Sequence, residues 1–567
     1  MTSPAADAWV VHKFGGSSVA DADCFRRVAD IVDSQPSPRL GVVLSACKGV
    51  TDALLNLVTL AERKDDGYIA QLQLLRERHA LIAETLLSAT AAAAWLARFD
   101  QDRTDLTGIL HTTSIMRSAA QNVRDLVAGY GEIWSTSLFA PFLEERRNGL
   151  EERRKGGAPV RWLDARRCVE VAWGPLGPAV HWEPSRARLK ALLADGFDGT
   201  LVITGFIAST PQGIQTTLGR NGSDFSASVF GSLLDAAEIH IWTDVDGVLS
   251  ADPRRVPNAQ VIDSLSYNEA MELAYFGAKV IHPQTMAPAI GRSIPIYIRN
   301  TFNAEKPGTL ICAKPESELL VKGITSIEGI ALINIEGAGM IGVPGTAHRL
   351  FGALREEGIS VILISQGSSE HSICCAIPQT EAARAERVVR DAFARELAEG
   401  QIQSVETSPD LAILAVVGDG MAGTPGVSAK VFNALGSAAV NVRAIAQGAS
   451  ERNISVVVDG KHATRALRAT HASFYLSPNT LSIGVIGPGT VGRVLLDQLA
   501  TQQARLAREF KLDLRIRGVM ASKRMLLSEQ GVALSGWRQA LDAGAVPADM
   551  AKFIEHVRVD YLPHTVL

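Results

Sequence analysis

Trp9-Val-Val-His-Lys-Phe-Gly-Gly-Ser-Ser18 is the stretch on which the fold turns. Its apolar run, Trp9 to Val11, has strand character and meets the small-residue loop Phe14-Gly-Gly-Ser-Ser18, after which apolar residues recur at helical spacing from Asp21 to Asp33. The same unit follows at once. Leu40 to Leu44 enters Ser45-Ala-Cys-Lys-Gly-Val-Thr51, and a helix begins near Asp52. Repeated strand, loop and helix units pack as a parallel sheet with covering helices, so an α/β architecture is predicted.

From Asp52 to Arg146 the spacing is mostly helical, including the alanine-rich Ala89 to Ala97, and reads as packing helices. Further strand candidates lie at Thr200 to Ile207, Ala237 to Trp242 and Ile294 to Ile298, and the charged Lys314-Pro-Glu-Ser-Glu318 marks a first boundary. Beyond it lies an internal repeat. Residues 339 to 373 align without a gap on 420 to 454, an offset of 81 with 15 identities in 35 positions, where composition alone gives roughly two. Met340 matches Met421, Phe351 matches Phe432 and Gly367 matches Gly448, so two copies of one small α/β module are expected. The last stretch reads as strand Leu481 to Ile486, glycine loop, helix to Glu509, strand Leu512 to Met520 and two weaker helices. It stops inside the apolar run Thr565-Val-Leu567, as though cut.

A chain of 567 residues predicts roughly three to four domains. With 47% hydrophobic and 20% charged residues it has the composition of folded globular protein rather than of a disordered chain. A formal charge of -4 leaves no basic footprint, so nucleic acid is not an expected partner. No uncharged apolar run approaches the ~18 to 20 residues that cross a bilayer, and the start carries Asp7 rather than a basic leader. No membrane association and a cytoplasmic location are therefore expected. Cys24, Cys47, Cys168, Cys312, Cys374 and Cys375 are scattered without a C-x-x-C pair, which predicts reduced thiols rather than a disulfide framework or zinc ribbon.

Neither a G-x-x-x-x-G-K-[ST] loop nor the H-R-D and D-F-G segments of protein kinases occur. Lys13-Phe-Gly-Gly-Ser-Ser18 offers a different phosphate site, because glycines after a strand let backbone N–H groups approach anionic oxygens and the helix beyond favours negative charge. A strand end followed by Gly-Gly is more often only a tight turn. Its company adds weight. Thr216-Thr-Leu-Gly-Arg-Asn-Gly-Ser-Asp224 combines a guanidinium, a small-residue turn and a carboxylate before a helix. Ile241-Trp-Thr-Asp-Val-Asp-Gly-Val248 ends a strand in paired acids, Asp252-Pro-Arg254 follows, and Tyr275-Phe-Gly-Ala-Lys-Val-Ile-His-Pro283 brings another cation. Acids at a strand end serve equally as turn and cap residues.

Together these segments, with Gly131-Glu-Ile-Trp-Ser135 and Gly205-Phe-Ile207, resemble the aspartokinase branch of the amino-acid kinase family over essentially all of residues 9 to 312. The resemblance implies a three-layer α/β sandwich over residues 1–312. It also implies transfer of the terminal phosphoryl group of ATP to the side-chain carboxylate of L-aspartate, the first step of aspartate-family amino-acid biosynthesis. Residue by residue, Lys13 would bridge donor and acceptor oxygens, Arg220 would clamp the α-carboxylate of aspartate, and Asp224 would organise the lysine and the reacting groups. Gly15, Gly16 and Ser17 would cradle the nucleotide, and Thr243, Asp244, Arg254 and Lys279 would hold ATP. Ser45, Thr51 and Ser223 would line the aspartate site and Glu132 would recognise its amino group. Leu249 departs from the tyrosine that many relatives carry near the nucleotide. An aspartate carboxylate, with a reference pKa of ~3.9, is already ionised at neutral pH and needs no general base. Alignment and charge neutralisation then carry the chemistry, with Mg²⁺ borne by the nucleotide rather than by a protein-only metal site.

Each repeat pairs a Gly-rich loop with Ile364-Ser-Gln-Gly-Ser-Ser-Glu370 or Ile445-Ala-Gln-Gly-Ala-Ser-Glu451 and resembles the paired ACT domains of this family, assigned to residues 320–400 and 401–478. The family implies amino-acid binding at Gly345 with Gln366 or Gly426 with Gln447, threonine as inhibitor, and a homo-oligomer formed through these sheets; ligand-free oligomerisation modules are the alternative. Ile486-Gly-Pro-Gly-Thr-Val-Gly492 is a G-x-G-x-x-G loop between strand and helix, making Gly487, Gly489 and Gly492 candidates for a dinucleotide site. Ala521-Ser-Lys-Arg524 stands where an acid would end the second strand, which favours NADP; a structural glycine turn is the alternative. Residues 480–567 resemble the start of homoserine dehydrogenase, an incomplete Rossmann-type fold without that enzyme's substrate-binding region, so little or no dehydrogenase activity is expected. Two other functions stay open: a bifunctional aspartokinase/homoserine dehydrogenase, and a non-catalytic amino-acid-binding regulator. Intact Lys13, Glu132, Arg220 and Asp224 speak against the regulator.

Overall fold

The computed structural model describes residues 8–151, 158–175, 177–277, 282–317, 319–367, 371–476, 479–510, 512–559, 562 and 564–567. The candidate cation Lys279 and residues 368–370 of the first repeat motif lie outside these. The chain divides into two compact units. One comprises Met1–Val248, Val261–Ala274 and Lys279–Ser317; the other comprises Leu249–Gln260, Tyr275–Ala278 and Glu318–Leu567.

The first unit is built on one eight-stranded sheet. Its strands are β1 (Val10–Phe14), β2 (Leu40–Leu44), β3 (Val160–Leu163), β4 (Thr200–Thr204), β5 (Glu238–Thr243), β6 (Ser264–Ser266), β7 (Ile296–Asn300) and β8 (Thr309–Cys312). They lie in the order β6-β8-β7-β5-β1-β2-β4-β3, all neighbours parallel except β7 and β8. Alternation decides what each face meets. Val10, Phe14, Val42, Leu44, Val202 and Trp242 enter a core with Phe25 of α1 (Ala22–Asp33) and Leu54 of α2 (Val50–Glu62). The longer helices α3 (Gly67–Leu86), α4 (Ala89–Met116) and α5 (Gln121–Glu151) supply Leu72, Phe99 and Trp134 to the same core. The other face, carrying Val11 and Lys13, meets α6 (Gly222–Leu233), where a Cβ on Gly231 would stand 2.5 Å from the side chain of Ile239. Helices on both sides of a mostly parallel sheet give the expected three-layer sandwich.

In the second unit, β9 (Gly323–Glu336), β10 (Leu363–Gln366), β11 (Ser372–Pro378), β12 (Ser404–Val417), β13 (Val442–Gln447) and β14 (Asn453–Asp459) form one antiparallel sheet in the order β10-β11-β9-β12-β14-β13. The long strands β9 and β12 pair from Gly323 with Val417 to Glu336 with Ser404. Ile324, early in β9, packs with Leu414, Val431 and Val456 of the second repeat, whereas Ile333 and Ile335 pack with Leu354, Cys375 and Val389 of the first. Val405, early in β12, joins that first-repeat core. The modules are thus interleaved, and a division at 400/401 runs between strands that pair along their length. Leu249–Gln260 packs on the second repeat: Ala251 and Val256 enter its core, Ile324 N–H donates to Ser250 O at 2.8 Å, and the Ser250 hydroxyl lies 2.9 Å from His471 Nε2.

A third sheet orders β15 (Asn479–Ile486), β16 (Leu512–Met520), β17 (Arg524–Leu527), β18 (Val546–Pro547) and β19 (His564–Val566) as β18-β17-β16-β15-β19. The helix α7 (Thr490–Phe510) joins β15 to the parallel β16 as read from the sequence. β17 then turns back antiparallel, which departs from the wholly parallel sheet of a doubly wound nucleotide-binding fold. Among the described residues no helix is long and apolar enough to cross a membrane.

Candidate active site

β1, β2 and β4 end side by side, and the loops that follow them border a cleft of about 460 Å³. Open α/β sheets gather ligand sites at the carboxyl ends of their strands. Ser45 N–H donates to Phe14 O at 3.1 Å and Gly205 N–H to Leu44 O at 3.0 Å, so the three strand ends are fixed to one another. The alternation that sends Phe14 into the core turns Lys13 to the opposite face, toward the first turn of α6. There Lys13 Nζ lies 2.6 Å from Asp224 Oδ1, with side chains only 11% and 12% exposed.

Glu132 enters the cleft from α5. That helix approaches closely because residue 131 is glycine: a Cβ there would stand 2.6 Å from Ala46 Cβ. Glu132 is buried, its Oε2 has no hydrogen-bond partner among the described residues, and burial pushes its carboxyl up to about 8 against the opposing pull of the Ala46 N–H. An acid held this way is set to receive a cation, which would restore the charged form. Ser45, Thr51 and Ser223 contribute hydroxyls and Arg220 an exposed guanidinium. Gly15 and Gly16 offer bare backbone, and a Cβ on Gly16 would stand 3.0 Å from Ala46 O.

Two helices begin at the cleft, α2 after Gly49 and α6 after Asn221. Their positive dipole ends, with Lys13, Lys48 and Arg220 nearby, favour a ligand carrying several negative charges. The same walls present an acid and a guanidinium for a zwitterion's ammonium and carboxylate. Such a cleft can align a phosphate chain with a carboxylate and neutralise the charge between them.

The other candidates are placed differently. Ser17 lies in the short turn Gly16–Val19 and is not among the lining residues. Thr243 ends β5 beside β1, and Asp244 follows it, exposed and bonded to the Thr243 hydroxyl at 3.2 Å; neither lines the cleft. Arg254 belongs to the second unit, where it is 83% exposed and bonds Asp252 at 2.8 Å. Sequence reading did not single out Lys48, Asn221 or Phe206, which do line the cleft. Phe206 (φ 67) holds left-handed backbone, a strain that gathers at functional sites and leaves no mark in the sequence, and Asn221 (φ 54) holds the same region, which asparagine enters more readily.

In the first repeat Gly345 and Gln366 line a cavity of about 330 Å³ together with Met340, Pro344 and Ile373. Gly426 occupies the matching helix-start position of the second repeat, and Gln447 ends β13 as Gln366 ends β10. In the third sheet the Gly487 N–H donates to Met520 O at 2.8 Å. Gly489 follows in the same turn, and a Cβ on Gly492 would stand 2.4 Å from Gly487 O, so α7 starts against it only because residue 492 is glycine. Arg524 is held by an ion pair to Asp542.

The description "amino acid kinase family" matches residues 8–300, and "ACT domain" matches residues 333–393 and 414–474. The chain belongs to the amino acid kinase family, with tandem ACT domains behind the kinase part. Within that family its relatives are aspartokinases. It is 44% identical to the chloroplastic bifunctional aspartokinase/homoserine dehydrogenase 1 of Zea mays over 100% of this chain and 61% of that one. It is 32% identical to the lysine-sensitive aspartokinase 3 of Escherichia coli (strain K12) over 82% of this chain and 99% of that protein. The crystal structure of E. coli aspartokinase III with aspartate and ADP superposes with a TM-score of 0.68 at 29% identity, covering 82% of this chain and 99% of that one. The chain spans about 61% of the length of the plant bifunctional relatives it matches.

Proposed function

We propose that the cleft transfers the terminal phosphoryl group of ATP to the side-chain carboxylate of L-aspartate, giving ADP and 4-phospho-L-aspartate. The observation that carries this reading is the sheltered Lys13–Asp224 pair sharing one cleft with Glu132 and Arg220. In this reading Glu132 takes the aspartate ammonium, Arg220 its α-carboxylate, and Lys13 bridges the donor and acceptor oxygens. Ser45, Thr51 and Ser223 orient the acceptor, while Gly15, Gly16 and Ser17 lie along the phosphates. Thr243, Asp244, Arg254 and Lys279 are assigned to the nucleotide. Mg²⁺ carried by ATP supplies further neutralisation of the phosphate charge. The test is ADP release with L-aspartate, L-glutamate and N-acetyl-L-glutamate as acceptors. Aspartate alone is expected to support turnover, and equal rates with glutamate would overturn the assignment. Arg220→Lys, which loses the two-pronged fork, should raise the aspartate KM by about tenfold or more and change the ATP KM little.

The repeated modules are read as amino-acid sensors at Gly345 with Gln366 and at Gly426 with Gln447, acting in a cytoplasmic homo-oligomer. Threonine is the proposed inhibitor. The E. coli relative is named for its sensitivity to lysine and has been crystallised with lysine and aspartate, so lysine is the comparison to run. An inhibitor acts only by binding two conformations with different affinity. Inhibition by threonine and not lysine is expected; indifference to both removes the sensing role. A second reading, NADP binding at Gly487, Gly489 and Gly492, is favoured by the glycine turn against α7 and by similarity to the bifunctional relatives along the whole chain. Quenching of intrinsic fluorescence by NADPH, lost in Gly489→Val, would support it.

A further inference from the structure

The phosphate chain of a nucleotide brings several negative charges into the cleft, and Lys13, Arg220 and Lys48 are the cations among its described lining residues. Lys13 is paired with Asp224, and Arg220 is committed to the acceptor carboxylate in the reading above. One cation remains among the described lining residues, Lys48. Its ammonium has no ion-pair or hydrogen-bond partner among the described residues, and the side chain is exposed.

Its backbone, by contrast, is firmly placed. Lys48 Cα lies 3.4 Å from the position a Cβ would take on Gly16, so the loop after β2 rests against the glycine turn after β1. The guanidinium of Arg78 ties the two together, donating to Lys48 O at 2.9 Å and to Ala20 O at 2.9 Å. A flexible four-carbon stem therefore springs from a fixed point beside the Gly15–Gly16 backbone, with its charge uncommitted.

The geometry points to Lys48 as a further phosphate-contacting residue, whose ammonium folds over the glycine turn onto the terminal phosphate of a nucleoside triphosphate. This rests on the phosphotransfer reading of the cleft and adds a residue that tells ATP from ADP. The test is calorimetric titration of the wild-type protein, Lys48→Ala and Lys48→Arg with Mg²⁺ and either ADP or a β,γ-imido ATP analogue. Lys48→Ala should bind the ATP analogue about tenfold more weakly while its ADP affinity stays within about twofold, and Lys48→Arg should restore most of the loss. An equal loss for both nucleotides, or none for either, overturns the proposal. Unchanged thermal unfolding of the variants separates contact from misfolding. Nucleotide binding that discriminates as expected, with no amino acid phosphorylated, would sink the aspartate reading and leave Lys48 standing. A wild-type protein that does not bind the ATP analogue would overturn both.

Discussion

Glu132 holds a proton at neutral pH that an ordinary carboxyl would have lost. Its carboxyl is raised by burial from about 4.5 to about 8, so between those values the folded protein binds a proton that the unfolded chain does not. The stability this group contributes is complete below about pH 4.5 and declines as pH rises toward 8. Glu132→Gln keeps the shape and removes the titration, so its Tm should fall less than that of the wild-type protein across this window in thermal scans. The substrate ammonium draws Glu132 into its charged form, so the wild-type aspartate KM should fall as pH rises toward 8, while in the variant it should be high and flat. Opposite slopes in either measurement contradict the role. The identity of Glu132 as a candidate was legible in Gly131-Glu-Ile-Trp-Ser135, and Lys13, Arg220 and Asp224 were legible as charges beside small residues at strand and helix ends. Lys48 escaped notice because its position depends on one loop resting on another. The lodging of Arg254 on Asp252 is a contact within the single turn Asp252-Pro-Arg254.

At the scale of elements, α5 and the loop after β2 are held together by the missing side chain of residue 131. A methyl group there would stand 2.6 Å from Ala46 Cβ, well inside contact distance. Gly131→Ala should lower stability by about 1–3 kcal/mol through overpacking and should also weaken aspartate binding, because Glu132 and Ser45 move apart together. Thermal unfolding and the aspartate KM report the two effects, and an unperturbed variant would show that the approach is not needed. The strands and the first helices were readable because alternation and helical spacing are local properties. The antiparallel β17 and β18 were not, since strands of four and two residues carry too few side chains for a pattern.

At the scale of the molecule, the repeat was visible as an offset of 81, yet its interleaving was not. Similarity between two segments reports that they fold alike and says nothing about which strand completes which sheet. Because β9 and β12 each serve both repeats, residues 319–476 are expected to unfold in one cooperative transition with equal calorimetric and van't Hoff enthalpies. Two separable transitions would mean the repeats stand alone.

In the proposed reaction Lys13, paired with Asp224 at the end of β1, handles the transferred phosphoryl group. Removing it leaves a sheltered carboxylate uncompensated at a cost of about 3–5 kcal/mol, against the ~5–15 kcal/mol that holds a domain folded, so Lys13→Ala should have a lowered Tm and still be folded at 25 °C. The direct measurement is capture of the acyl phosphate as its hydroxamate from ATP and L-aspartate, with circular dichroism confirming the fold. Hydroxamate from the wild-type protein and none above background from folded Lys13→Ala is the predicted result. Hydroxamate formation by Lys13→Ala at a rate near that of the wild-type protein would contradict it.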